Sequence, residues 1–347
     1  MKLNVNTDPK PFSQLFGILA DGSQVLAYEI SNSNGMTLKV MDYGATVIAL
    51  KKTLKNGKVV DVVLGFDSLS DYVDSYSLPS APYFGATVGR FAGRIANATF
   101  DLNGKSIVLH QNNNRNALHG GIEGFSQKRW RLEQLKTDQN PSVSFSYTSP
   151  AGEEQYPGEL KVSITYTLTE ENELEIEYKA FTNEATIVNL THHSYFNLEG
   201  QHSSVFEHEL QINAAEVLAT KAMIPTGELL PVHGTEWDYT NIKPCPEAID
   251  TTFAVNTKET LVATLLCKEN SLKMEVFTNQ PGLHVYVGGN CFNQIKGKEN
   301  ASYHSQSGIC FETQNFPDAP NHPNFPSVIL LPGDIYFHKT IYKFQSI

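Results

Sequence analysis

The run LKVSITYTL, Leu160 to Leu168, sets Leu160, Val162, Ile164, Tyr166 and Leu168 at every second position, with polar or small residues between them. Successive side chains of an extended chain point to opposite faces, so this is a strand with one apolar face. Just beyond it, LEIEYKAF, Leu174 to Phe181, alternates in the same way, and the short link TEEN predicts a hairpin. Three Asn-Gly pairs, at Asn34, Asn56 and Asn103, each sit between further strand-like runs. Asn-Gly suits the type I′ turn, whose two central residues need φ > 0, so three more hairpins are expected. SLKMEVFTN, GLHVYVGG and DIYFHKTIYKF carry the pattern to the C-terminus. The best helical signal is DSLSDYVD, Asp67 to Asp74, about two turns opened by polar capping residues.

The chain has 347 residues, enough for two domains at about 150 residues each, although a large all-β domain can exceed that. Pro and Gly are scattered as turn punctuation, and no repeat, low-complexity tract or Gly/Ser linker divides the sequence. The expectation is one β-rich domain, residues 1–347, with strands packed as layered sheets that bury both faces. Lys and Arg number 26 and Asp and Glu 37, a formal charge of −11. With no basic block, binding to nucleic acid or to an anionic membrane surface is disfavoured. No run approaches 18 apolar residues, and MKLNVNTDPKPFSQLFG lacks the apolar core of a secretory signal. Cys245, Cys267, Cys291 and Cys310 show no CxxC pair. They read as free thiols of a reducing compartment, and the cytoplasm is the expected location. Sequons at Asn97, Asn189 and Asn300 read as chance matches, because Asn189 lies in an apolar run expected to be buried.

Four stretches do not look like scaffold. FGATVGRFAGRI, Phe84 to Ile95, places Arg90 and Arg94 among apolar residues and glycines, with neither GxGxxG nor a P-loop. A buried guanidinium needs acceptors, so each arginine is either paired with a carboxylate or directed at ligand oxygens, and the segment alone favours the pair. NALHGGIEG sets His119 on an accessible Gly-flanked turn. NLTHHSYFNL carries His192 and His193 in adjacent positions. In a regular strand these point to opposite faces and cannot ligate one metal together, so one should enter a cleft while the other packs. GICFETQNFP sets Glu312 among Ile309, Cys310 and Phe311. A carboxylate there is either salt-bridged, for instance to Arg94, or a base tuned towards neutral pH.

Together these stretches resemble the aldose 1-epimerase (galactose mutarotase) family over nearly the whole chain. The landmarks run in order: DVVLGFDSLSDY, FGATVGRFAGRI, ALHGG, YPGELKVSITYTL, NLTHHSYFNL, IPTGE, TNQPGLHVYVGG and FETQNFPDAPNHPNFPSVILLPGD. The resemblance implies an all-β fold, a large antiparallel β-sandwich of the galactose-mutarotase type. It implies interconversion of the α and β anomers of free aldohexoses such as D-galactose and D-glucose, with no cofactor and no metal. One base must take the C1 hydroxyl proton while one acid protonates the ring oxygen. By resemblance Glu312 is the general base and His193 the general acid. His119, Arg94, Asp250 and Gln280 are the substrate-binding residues. Two positions depart from the pattern: Gly93 stands where many relatives have Asn before the arginine, and His192 where Asn or Gly is common before the catalytic histidine. Both bear on sugar preference more than on reaction type.

Three other functions fit the residue types. A hexose-6-phosphate epimerase would want additional Arg or Lys for the phosphate. A noncatalytic sugar-binding module would have lost Glu312 or His193. A glycoside hydrolase would use Glu312 and Asp250 as paired carboxylates at a defined spacing. The expected partner is a small monosaccharide, and the expected assembly a monomer or homodimer.

Overall fold

A computed structural model describes residues 13–256, 260–287 and 295–347. Cys291 lies outside the described residues. Leu160–Leu168 and Glu173–Thr182 are strands paired antiparallel from Leu160↔Thr182 to Leu168↔Leu174. Along the first, all five apolar positions are buried and the residues between them are more exposed, as the alternation requires.

This hairpin sits inside a nine-stranded sheet. In spatial order the strands are Arg131–Lys136, Ser142–Ser149, Leu160–Leu168, Glu173–Thr182, Tyr336–Ser346, Leu272–Thr278, Thr260–Cys267, Glu209–Ile212 and Lys243–Pro244. A six-stranded sheet follows the order Tyr195–Phe196, Ile309–Gln314, Gly282–Val287, Ile249–Ala254, Glu216–Lys221 and Ile224–Pro231. Every ladder in both is antiparallel. The two sheets pack face to face. The Tyr342 hydroxyl donates to the Phe311 carbonyl at 2.8 Å, and the Phe196 and Tyr342 rings lie 4.8 Å apart. A five-stranded sheet, Ser13–Ile18 to Val59–Asp61, joins the same core through contacts such as Tyr28 on Phe145 at 5.5 Å.

All three Asn-Gly sites lie in hairpin loops, but only Asn103-Gly104 is a two-residue turn with both φ positive, at 54° and 76°. At the other two the ladders end at Ser31↔Thr37 and Thr53↔Val59, and only Gly35 and Gly57 are left-handed. A longer loop needs one left-handed residue, so the asparagine is free for another task. Asn56 Oδ1 accepts from the Lys58 N–H at 2.9 Å. The helix runs Leu69–Ser75 and begins later than expected, because Ser68 is extended and caps it by accepting from the Asp71 N–H. Asn189 is fully buried and bonded to the backbone of Ala92 and Asn315, as expected of a position no glycan could reach. Cys245, Cys267 and Cys310 are buried. No described helix is long and apolar enough to cross a membrane.

Candidate active site

The strand Ile309–Gln314 is buried along its whole length. Its register with Gly282–Val287 sets His284 opposite Glu312, and the next ladder sets Thr252 opposite His284. Residues directly opposite across a sheet share a face, and so do residues two apart on one strand. Thr252, His284 and Glu312 therefore form a row, with Asp250 on the same face. This row forms part of the wall of an open cavity of about 580 Å³. Arg94, His119, His193, Tyr83, Thr220 and Met223 also line it.

His193 follows a two-residue strand, Thr191–His192, that pairs with Thr87–Val88. The backbone bonds of His193 to Gly85 and Ala86, at 2.9 and 3.0 Å, fix its ring over the cavity. Its Nε2 lies 3.5 Å from Glu312 Oε1, and both side chains are almost wholly buried. The partner of Glu312 is thus His193 and not Arg94. His192 turns away and packs near Tyr166 and Tyr342, with Nε2 bonded to Ser194 Oγ at 2.7 Å. Burial, with the nearby His193, pulls its pKa down to about 3, so it is a neutral residue of the packing. The division of labour expected of the two histidines is what the fold produces.

His119 sits at φ +50° in a loop whose glycines admit no side chain. A Cβ on Gly120 would lie 1.9 Å from the Gly89 carbonyl oxygen. The loop is tied down by Glu154, whose carboxylate accepts the N–H groups of Ile122 and Glu123 at 2.8 and 3.1 Å. His119 Nδ1 accepts from the Gly93 N–H at 3.3 Å. Burial, then the charges of His193 and Arg94, holds His119 well below the ordinary histidine pKa. A neutral ring that accepts at Nδ1 carries its hydrogen on Nε2, so His119 is a donor. Gly93 itself has φ +79°, and a Cβ there would press on Pro317. At Gly93 it is the backbone N–H that bonds, and its acceptor is the His119 ring.

Arg90 and Arg94 part company. Arg90 is buried and gives its N–H groups to Ser149 Oγ and to the carbonyls of Ser149, Pro150, Pro157 and Gly158, all at 2.8–3.0 Å. It is structural, as favoured, but it is satisfied by carbonyl and hydroxyl oxygens and not by a carboxylate. It thereby braces the loop that carries Glu154. Arg94 lines the cavity, its Nε held by Asn113 Oδ1 at 3.1 Å. Asp250 Oδ1 lies 3.0 Å from His284 Nε2. Against burial, that hydrogen bond and charge hold the Asp250 carboxyl below its usual pKa.

Gln280 is absent from the cavity lining and gives its Nε2 to Asn279 Oδ1 at 2.9 Å. The residues of this segment that face the cavity are His284 and Tyr286, and the sequence reading passed over both. The signal was the alternation of GLHVYV, where His284 takes the register of an inward residue next to a candidate carboxylate.

His119, His193 and Glu312 each offer an atom within 4.8 Å of the others, a proximity that sequence spacing could not show. Glu199, His208 and Cys267 form a second such group. In each group one histidine nitrogen already accepts a backbone N–H, from Gly93 to His119 and from Leu198 to His208. The other nitrogen of each neutral ring then carries hydrogen and has no lone pair for an ion. The first group is instead suited to moving protons: a carboxylate, an imidazole and a second imidazole N–H converge on one cavity.

The family model for aldose 1-epimerase matches residues 27–343. The galactose mutarotase of Bos taurus is 41% identical over 345 residues, spanning 95% of this chain and 97% of the relative. That of Sus scrofa is 40% identical over the same spans. The solved structure of an aldose epimerase homologue from C. elegans has a TM-score of 0.85 at 30% identity, covering 92% of this chain and 98% of its own.

Proposed function

The chain belongs to the aldose 1-epimerase family and is an aldose 1-epimerase, and we propose that it acts on free aldohexoses, D-galactose first, through Glu312 and His193. The observation that carries this reading is the contact between those two groups in the cavity wall, with Nε2 and Oε1 3.5 Å apart. The C1 hydroxyl and the ring oxygen are bonded to the same carbon, so their base and acid must be close neighbours.

In the forward step Glu312 takes the proton of the C1 hydroxyl while the His193 imidazolium gives its proton to the ring oxygen. The bond from C1 to the ring oxygen breaks and leaves the open-chain aldehyde. After rotation about C1–C2 the ring oxygen attacks the other face of the carbonyl. Glu312 returns its proton to the former carbonyl oxygen and His193 recovers its own, so the protein ends as it began. Neutral His119 donates from Nε2 towards the ring oxygen, Arg94 binds hydroxyl oxygens, and Asp250 accepts from hydroxyl protons. We assign Gln280 no contact with the sugar.

Arg94 is the one Lys or Arg among the described lining residues, which disfavours a phosphorylated sugar, since a dianion calls for several charge-assisted donors. We also read residues 1–347 as one domain, because Arg94 and Glu312, far apart in the chain, line the same cavity. The test is polarimetry of freshly dissolved α-D-galactose and α-D-glucose with purified protein. Faster relaxation than in buffer, with galactose the better substrate, is expected. No acceleration of either sugar would refute the assignment.

A further inference from the structure

His284 has neither a place in the proton transfers above nor a role in the motif reading, yet its contacts are specific. Nε2 lies 3.0 Å from Asp250 Oδ1 and Nδ1 lies 2.8 Å from Thr252 Oγ1. It stands directly opposite Glu312 in the sheet, with a side chain only 20% exposed. We propose that His284 is the positioning residue of the sugar-binding carboxylate: clamped by Thr252, it fixes Asp250 and places positive charge beside it in the cavity wall. The inference rests on the proposed role of Asp250 and deepens it.

The clamp works in both protonation states. As an imidazolium, His284 donates to Thr252 and to Asp250. As a neutral ring with hydrogen on Nε2, it still donates to Asp250 and accepts from Thr252, whose hydroxyl can rotate to either role. Titration therefore changes the charge in the site without releasing Asp250. The charged or titratable groups around it are Asp250 and Glu312 on the flanking strands, Tyr286 on its own strand, and Arg94, His119, His193, Tyr76 and Tyr83 elsewhere in the cavity wall. Burial opposes protonation of His284, but the hydrogen bond and charge of Asp250, with the charge of Glu312, raise its pKa above the ordinary histidine value. With Asp250 Oδ1 engaged, Oδ2 is the oxygen left for substrate hydroxyls.

The experiment compares His284→Gln and His284→Ala with the wild type in polarimetric kinetics on galactose from acid to neutral pH. His284→Ala is expected to raise KM about tenfold with a smaller change in kcat, the size of one lost charged hydrogen bond. His284→Gln keeps a donor for Asp250 and is expected to restore KM. Because it lacks the charge, it moves the acid limb of kcat/KM to higher pH. A readout free of catalysis is the NMR titration of His284, assigned by its loss in His284→Gln. In Asp250→Asn its pKa is expected to fall by about one unit or more. An unchanged KM in His284→Ala, or a His284 titration indifferent to Asp250→Asn, overturns the proposal. Wild-type protein that fails to accelerate anomerisation refutes the epimerase reading, while the NMR titration still decides the pairing.

Discussion

Replacing Glu312 by Gln separates proton transfer from shape. Gln has nearly the same size, and the site is closed around it, since Glu312 is only 2% exposed and paired with His193 at 3.5 Å. An amide cannot take the C1 hydroxyl proton at neutral pH. A positioned general base contributes a factor of about 10² to 10⁴. At about 1.4 kcal/mol per factor of ten, the barrier should rise by roughly 3–6 kcal/mol. Binding should survive, because Arg94, His119 and Asp250 are untouched, and KM should stay within about threefold of wild type. The assay is polarimetry of α-D-galactose with the spontaneous rate subtracted, and binding is followed separately by NMR. A folded Glu312→Gln protein that turns over at a rate near wild type would remove Glu312 as the base. Loss of binding with unaltered kcat would recast it as a ligand group.

Three further outcomes follow from the geometry. Arg94→Ala should raise KM and lower kcat together in the same assay, since a residue that holds hydroxyl oxygens also sets the angle of the reacting centre. Glu154→Ala frees the N–H groups of Ile122 and Glu123 and loosens the loop bearing His119. It should lower kcat/KM by about tenfold or more, with partial recovery in Glu154→Gln, whose amide oxygen can still accept. Acid should destabilise the fold through three buried neutral histidines. Burial holds His192 and His338 down to about 3 and His208 to about 4, against an ordinary value of 6.5. As pH falls below 6.5 the unfolded chain takes up protons that these folded rings refuse, so stability is lost down to the folded pKa values. Each ring contributes a slope of about 1.4 kcal/mol per pH unit. Urea midpoints measured from pH 7 to pH 4 check this, and His338→Gln should flatten the fall. Midpoints constant over that range would contradict it.

Alternation in LKVSITYTL and LEIEYKAF was enough to predict their hairpin, because pairing of neighbouring runs is a local matter of period and turn length. The turn types at Asn34 and Asn56 were not legible, since loop length is set by where the ladder stops. Residue types at Glu312, His193, His119 and Arg94 marked the site, and their ordered motifs carried the family. The partners did not follow. Glu312 meets His193 across a separation of 119 residues, and Arg90 is satisfied by loop carbonyls that no charge pattern announces. Gln280 and His284 show the limit most clearly. Both lie in one short segment, and only the register against Thr252 and Glu312 decides that His284 faces the sugar site.

By itself the sequence determined a β-rich chain, its acidic charge, its family and the chemical groups on offer, because composition, period and motif order are properties of the chain alone. Tertiary structure decided which groups touch, which histidine nitrogen carries hydrogen, and which carboxylate has a cation beside it. Those depend on register between distant strands and on burial, and both exist only once the sheets have packed.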